Sequence, residues 1–161
     1  MKAVIMAGGR GTRISAIASD IPKPMIEIEG LPVLEHEIYC LREQNITDLI
    51  ITVGYKSNVI TDYFGDGSKI SGVTGEPFGV DIEYFIEETP LGNAGALFLL
   101  KDKLTEDFLL LNADVIFNID FNRMIKFHKA HRAVVTLFTH PNSHPYDSGL
   151  IIANENHAVE Y

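Results

Sequence analysis

The sequence has a single cysteine, few cations and no long apolar run. Cys40 alone cannot form an internal disulfide, which is typical of a protein from a reducing compartment. Its apolar runs, such as those at 108–111 and 133–138, are far too short to cross a bilayer. The first residues do not form a basic stretch followed by an apolar leader. We therefore expect a cytoplasmic protein with no membrane partner.

Positive charge is scarce, because 13 lysines and arginines stand against 22 aspartates and glutamates, for a net charge of -9. Binding to nucleic acid normally needs a broad basic patch that displaces counterions, so we expect no nucleic-acid partner. Three of the cations, Arg10, Arg13 and Lys23, lie close together in the sequence. A few cations and backbone N–H groups are sufficient for a small anionic ligand.

The length and composition predict one folded domain over residues 1–161, with 46% hydrophobic and 22% charged residues. Short apolar runs bounded by turn residues predict strands at 2–6, 49–53, 81–86, 108–111 and 133–139. Apolar residues at helical spacing predict helices at 32–44, 58–64, 92–100 and 121–131. Glycines mark a long irregular connection between the second helix and residue 81.

Alternating strands and helices, with strands that are hydrophobic throughout, are typical of an open α/β sheet. We expect a Rossmann-like sheet, mixed but mainly parallel, with helices on both faces. Ligands of such sheets bind beyond the carboxyl ends of the strands. The loop after the first strand and Asp114, which follows the strand at 108–111, both lie at such ends, so we expect them to converge on one site.

A glycine-rich loop at 7–13 (AGGRGTR) follows the first strand directly. Its three glycines allow backbone N–H groups to approach a phosphate chain without interference from side chains. It lacks the third glycine of a dinucleotide-binding fingerprint and the Gly-Lys-Ser/Thr of a Walker A loop. A tight turn would explain Gly8 or Gly9 alone but not the arginine at Arg13, so the loop predicts an anion-binding site of another type.

Two prolines flank Lys23, and their rings restrict the backbone on both sides of it. We expect this to hold Lys23 in an extended, reproducible position. An ammonium group is a mobile point charge, whereas the guanidinium of Arg13 can bind two phosphate oxygens at once. A solvated turn is the alternative interpretation of the Pro-Lys-Pro segment.

Asp114 ends the segment 112–114 (NAD), which follows a buried strand. Proteins usually hold Mg²⁺ with one or two carboxylates together with substrate phosphates and water. The position therefore predicts a Mg²⁺ ligand. The alternative is an aspartate that caps the following turn.

Four segments of the sequence occur in the same order as the signature motifs of a known family. The segments are 7–13 (AGGRGTR), 22–25 (PKPM), 90–95 (PLGNAG) and 112–114 (NAD). In this order they resemble the sugar-1-phosphate nucleotidyltransferases, whose fold is of the nucleotide-diphospho-sugar transferase type. The forms of 19–25 and 87–92 are more similar to guanylyltransferases acting on heptose 1-phosphate or mannose 1-phosphate than to the thymidylyl or uridylyl branches.

The resemblance implies substrates, a cofactor and residue roles. It implies transfer of a nucleoside monophosphate from an NTP, with GTP preferred, to a sugar 1-phosphate, with pyrophosphate released and Mg²⁺ as cofactor. The implied catalytic residues are Arg13, Lys23 and Asp114, of which Asp114 also holds the metal. The implied nucleotide-binding residues are Ala7, Gly8, Gly9, Gly11, Thr12, Glu87, Gly92 and Asn112. Gly149 corresponds to a sugar-contacting turn.

Glu87 carries the preference for GTP, since the resemblance implies that this position meets the base. A carboxylate only accepts hydrogen bonds, and guanine presents two adjacent donors, whereas thymine or uracil presents one donor between two acceptors. The alternative is that Glu87 is a charged residue at a strand end without a role in binding.

The chain departs from the family pattern in two places. It has Ala16 and Ala18 where many relatives have proline and threonine, and its 161 residues do not include the family's later sugar-binding segments and second metal-binding aspartate. We therefore expect a truncated chain. A non-catalytic, nucleotide-binding regulatory module and the same reaction with another NTP remain as alternatives, and a homo-oligomer is left open.

Overall fold

A computed structural model describes residues 1–9, 21–89, 91–92, 94–139, 141, 151–155 and 158–159. The chain separates into two compact units, Met1–Phe121 and Asn122–Tyr161. No helix in the described part of the chain is both long and apolar enough to span a membrane.

The helices and strands follow one another along the chain as follows. The strands are β1 (Lys2–Ala7), β2 (Glu27–Ile28), β3 (Leu31–Pro32), β4 (Asp48–Val53), β5 (Asp81–Ile86) and β6 (Phe108–Asn112). The helices are α1 (Val33–Glu43), α2 (Ser57–Phe64), α3 (Gly95–Leu99) and α4 (Phe121–His131). Single 3-10 helical turns lie at Lys23–Met25 and Lys101–Lys103.

The first unit is built on a parallel four-stranded sheet with the order β5-β4-β1-β6. The four predicted strands in this sheet and the predicted α/β architecture are thus confirmed, and the sheet expected to be mixed but mainly parallel is parallel in all four of these strands. Strands β1 and β4 carry runs of fully buried apolar residues because parallel strands are covered on both faces. These residues are Ala3, Val4, Ile5, Leu49, Ile50 and Ile51.

The order of the strands creates a switch point in the sheet. The connections from β1 to β4 and from β4 to β5 each lead to the neighbouring strand on one side, whereas β6 returns to the other side of β1. With right-handed crossovers, this order puts α1 and α2 on one face of the sheet and α3 on the other. The carboxyl ends of β1 and β6 therefore flank the crevice in which such folds bind ligands.

Helix α1 packs through Leu34, Ile38 and Leu41, all fully buried, which is the spacing that predicted this helix. The irregular connection after α2 is anchored by an aromatic cluster. The ring of Phe64 lies 4.8 Å from that of Tyr63 and 5.0 Å from that of Phe78, measured between centroids.

The strand predicted at 133–139 is wrong. Arg132 at the end of α4 has a φ of 49°, and the Ala133 N–H donates to the carbonyl of His128 at 3.3 Å, which closes the helix instead of starting a ladder. The side chain of Val134 is 96% exposed. An apolar run is sufficient to predict a strand, but a strand also needs a neighbouring strand to pair with. In the described sheets no strand pairs with this segment.

The helix predicted at 92–100 is shorter than expected, since α3 starts only at Gly95. Gly92 has a φ of 73°, which lies outside the right-handed helical region. The predicted helices at 32–44, 58–64 and 121–131 are confirmed to within one residue at either end.

Candidate active site

The glycine loop and the Asn112–Ala113–Asp114 segment leave the sheet side by side. Met6 is the register partner of Asn112, and the Ala113 N–H donates to the Met6 carbonyl at 3.2 Å. The two segments are about a hundred residues apart in sequence, yet parallel pairing brings their strand ends together at one edge. The predicted convergence is therefore confirmed.

Lys23 and Asp114 form an ion pair, with 3.8 Å between Nζ and Oδ2. The side chain of Lys23 is 24% exposed and that of Asp114 is 48% exposed. Both charges remain in contact with solvent, so an incoming anion or cation can reach them.

The backbone at Lys23 differs from the sequence prediction. Lys23 begins a 3-10 helical turn and is not in an extended segment; the Met25 N–H donates to the Pro22 carbonyl at 2.8 Å. Pro24 fits this turn because the first residues of a helical turn need no N–H donor. The prolines restrict the lysine as expected, but through a turn.

Glu87 lies against the glycine loop. Its N–H donates to the Val53 carbonyl at 2.7 Å, which continues the pairing of β5 with β4. A Cβ placed on Gly8 would lie 2.5 Å from Glu87 Oε1, so only glycine fits beside this carboxylate as it stands. Glu87 Oε2 in turn accepts a hydrogen bond from the Leu91 N–H at 3.3 Å.

Gly54, directly after β4, lies against the backbone of the glycine loop. A Cβ placed on Gly54 would lie 2.8 Å from the Gly8 carbonyl oxygen. Gly54 was not predicted as a site residue, although a glycine at the carboxyl end of a central strand is a recognisable sign of close backbone approach.

Glu37 of α1 was also missed and lies next to the Asp114 segment. It is only 1% exposed, and its Oε1 accepts a hydrogen bond from the Val115 N–H at 3.4 Å. The pKa of Glu37 is raised from 4.5 to about 9, and burial is the largest cause; the Val115 hydrogen bond lowers the pKa and the nearby charge of Asp114 raises it. The sequence signal was a glutamate three residues after Leu34 and four before Leu41, on the apolar stripe of the helix.

The structure describes only some of the remaining predicted site residues. Gly11, Thr12, Arg13 and Gly149 lie outside the described residues. Ala7 is buried at the end of β1, Asn112 is exposed at the end of β6, and Gly9 has open space where a Cβ would be. The structure thus brings together two pairs among the predicted residues, Lys23 with Asp114 and Gly8 with Glu87.

Asp114 could hold a magnesium ion together with ligands that the substrates bring. Within the described ranges, no three histidine, cysteine or acidic side chains are grouped as metal ligands. The single, half-exposed carboxylate of Asp114 fits a hard cation that takes its other ligands from substrate phosphates and water.

Comparison with known proteins agrees with this geometry. The model of the family described as "Nucleotidyl transferase" matches residues 2–161. The chain belongs to the nucleotidyl transferase family. The heptose 1-phosphate and mannose 1-phosphate guanylyltransferases noted for their similar motifs are among its relatives.

Two relatives represent those guanylyltransferases. The mannose-1-phosphate guanyltransferase of Saccharomyces cerevisiae is 34% identical over 155 residues, covering 94% of this chain and 41% of the relative. The D-glycero-alpha-D-manno-heptose 1-phosphate guanylyltransferase of Aneurinibacillus thermoaerophilus is 32% identical over 162 residues, covering 100% of this chain and 66% of the relative. The nucleotidyl transferase chain described here thus spans less than half of the first protein and just under two thirds of the second.

Solved structures share the fold. HddC from Yersinia pseudotuberculosis in complex with GMP-PN has a TM-score of 0.66 and 30% identity, covering 79% of this chain and 53% of HddC. A protein from Bacillus anthracis, provisionally assigned as a glucose-1-phosphate thymidylyltransferase and solved with sucrose, has a TM-score of 0.69 and 27% identity, covering 81% of this chain and 50% of that protein. The predicted nucleotide-diphospho-sugar transferase fold is confirmed.

Proposed function

We propose that this protein transfers GMP from GTP to a sugar 1-phosphate and releases pyrophosphate, with Mg²⁺ as its cofactor. The observation that carries the proposal is the ion pair of Lys23 and Asp114, where the chain leaves β6 at the switch point of the sheet. A cation for phosphate oxygens and a carboxylate for a metal are what phosphoryl-type transfer requires, because its catalysis is mainly positioning and electrostatic stabilisation.

The reaction needs no nucleophile from the protein. A phosphate oxygen of the sugar phosphate attacks the α-phosphorus of GTP, and the bond to the bridging oxygen breaks, so that pyrophosphate leaves. Lys23 stabilises the negative charge on the α-phosphate, since its ammonium can follow the oxygens as they move. Arg13 orients the β- and γ-phosphates, and Gly9, where a Cβ would meet nothing within 4 Å, leaves room for the phosphate chain.

Asp114 would hold Mg²⁺ in this scheme. When bound, the ion would neutralise phosphate charges. The chain as a whole does not do this, because its net charge is -9. Lys23 balances the charge of Asp114 in the structure described here, so the carboxylate has a partner before substrates arrive.

Glu87 supports guanine as the base. Its carboxylate lies beside Gly8 of the phosphate loop, and a carboxylate matches the two adjacent donors of guanine. The relatives named as guanylyltransferases and the GMP-PN complex of HddC favour the same nucleotide, whereas the protein from Bacillus anthracis favours thymidylyl transfer. Heptose 1-phosphate and mannose 1-phosphate are the proposed acceptors, on the strength of those relatives.

The test is pyrophosphate release from GTP, dTTP, UTP, CTP and ATP, each with Mg²⁺ and either heptose 1-phosphate or mannose 1-phosphate. Release with GTP above the other nucleotides supports the proposal. Release only with another nucleotide contradicts the base assignment but keeps the reaction. Thermal stabilisation by GTP without turnover would instead favour a nucleotide-binding regulatory module.

Glu87→Gln tests the base contact directly, with Glu88→Gln as its matched control because Glu88 is the exposed neighbour. Glutamine offers one acceptor and one donor group, so we expect the affinity for GTP to fall roughly tenfold in Glu87→Gln. Glu88→Gln should bind GTP like the parent protein. Equal affinities in the two variants would remove Glu87 from the nucleotide site.

A further inference from the structure

The backbone on both sides of Asp114 is held in place. The Ala113 N–H before it donates to the Met6 carbonyl at 3.2 Å, as a continuation of the β1–β6 ladder. The Val115 N–H after it donates to Glu37 Oε1 at 3.4 Å. Asp114 is therefore clamped between the sheet on one side and helix α1 on the other.

Helix α1 holds the same segment at a second place. Gln44 Nε2 donates to the Ile119 carbonyl at 2.9 Å, and Gln44 Oε1 accepts a hydrogen bond from the Phe121 N–H at 2.7 Å. Gln44 is the C-cap residue directly after α1 and follows Glu37 by seven residues, so the two side chains lie about two turns apart on one side of the helix. This face fixes the chain from Val115 to Phe121.

A glutamate at position 37 does not favour the stability of the fold. Its side chain is 1% exposed, and its Oε2 is buried without a hydrogen-bond partner among the described residues. A buried polar atom without a partner costs free energy, and an apolar residue would suit the stripe between Leu34 and Leu41 better. Stability thus does not explain why a glutamate is buried here, and the hydrogen bond from the Val115 N–H is the contact through which its carboxyl group could act.

We propose that Glu37 is a positioning residue, which orients Asp114 for its metal by fixing the peptide that follows it. This inference rests on the proposed function, in which Asp114 holds Mg²⁺. Glu37 acts through the Val115 N–H and is not a metal ligand itself. Partners that orient a ligating side chain commonly contribute tenfold or more to metal affinity.

Three variants separate these roles. Glu37→Gln keeps a carbonyl oxygen that can accept from Val115, Glu37→Leu keeps the bulk without an acceptor, and Asp114→Asn weakens the proposed ligand. Affinity for Mn²⁺ in the presence of GTP is measured by water-proton relaxation, and the folded state of each variant is checked by circular dichroism. We expect roughly tenfold weaker Mn²⁺ binding in Glu37→Leu and a change within about twofold in Glu37→Gln.

Unchanged Mn²⁺ affinity in folded Glu37→Leu would overturn the positioning role. A loss in Glu37→Gln as large as that in Asp114→Asn would also overturn it, because Glu37 would then behave as a ligand.

Amide hydrogen exchange in the metal-free protein separates this proposal from the proposed function. In Glu37→Leu, the Val115 amide should exchange faster, whereas the Ala113 amide, held by the Met6 carbonyl, serves as the internal control. If Asp114→Asn leaves Mn²⁺ binding unaltered, the metal role of Asp114 fails, while faster exchange at Val115 still shows that Glu37 fixes this peptide. Unaltered exchange at Val115 in Glu37→Leu refutes the Glu37 contact itself.

Discussion

Lys23 and Asp114 face each other at 3.8 Å where the chain leaves β6, each with part of its side chain in solvent. Exposed ion pairs of this kind contribute little to stability, because water screens them. The pair therefore has little cost in separating when a phosphate approaches the lysine and a cation approaches the aspartate. An ion pair that separates easily suits a substrate that brings a phosphate for Lys23 together with a cation for Asp114.

Lys23→Ala should abolish most turnover while leaving nucleotide binding largely intact. Removing one group that stabilises charge in the transition state typically costs about 10²- to 10³-fold in kcat. The measurement is pyrophosphate release with GTP, Mg²⁺ and sugar 1-phosphate, alongside GTP affinity by calorimetry. Lys126→Ala, which removes an exposed lysine of α4, is the control. A loss of GTP binding equal to the loss of turnover would assign Lys23 to binding instead of chemistry.

Gly8→Ala and Gly9→Ala should differ sharply in their effect on Glu87. A Cβ at Gly8 meets the flexible end of Glu87, whereas a Cβ at Gly9 meets nothing within 4 Å. We expect Gly8→Ala to displace the carboxylate and release the Leu91 N–H, at a cost in stability of about 1 kcal/mol or less. The Leu91 amide resonance should shift in Gly8→Ala and stay in place in Gly9→Ala. Equal shifts in both variants would contradict the close approach of Glu87 to Gly8.

Glu37 should make the stability of the metal-free protein depend on pH. Its pKa is raised from 4.5 to about 9, so the folded chain binds a proton that the unfolded chain releases between these values. The contribution of Glu37 to stability is then largest below pH 4.5 and falls as the pH rises towards 9, by up to about tenfold in the unfolding constant per pH unit. Urea unfolding of the parent protein and of Glu37→Gln at pH 5 to 8 measures this. The same pH dependence in both proteins would exclude Glu37 as its source.

Ile50→Ala should destabilise the first unit strongly. Ile50 is fully buried and packs in a cluster with Val4 and Leu100, and removing a buried isoleucine side chain to alanine costs about 2–5 kcal/mol. Ile70→Ala is the matched control, because Ile70 is 67% exposed, and we expect it to cost less than about 1 kcal/mol. Similar unfolding midpoints in urea for the two variants would show that Ile50 is not part of the core.

The central sheet could be predicted because its strands are local apolar runs, of which Val4 and Ile50 are examples. The rule that ligands bind beyond the carboxyl ends of strands then brought the glycine loop and Asp114 together. The segment after Arg132 has the same apolar character, but whether it forms a strand depends on a neighbour that no local pattern shows. Glu37 was overlooked because a glutamate on a helix normally faces solvent, and its burial depends on the later segment around Val115.

The pairing of Lys2 with Phe108 also constrains how the molecule folds. During synthesis β4 becomes available to β1 before β6, which lies about a hundred residues after β1 in the sequence, and contacts at such sequence separations form slowly. Until then, the flank of β1 that will receive β6 is open and apolar. Asp114 follows β6, so the ion pair with Lys23 can form only after all four strands of the sheet have been synthesised.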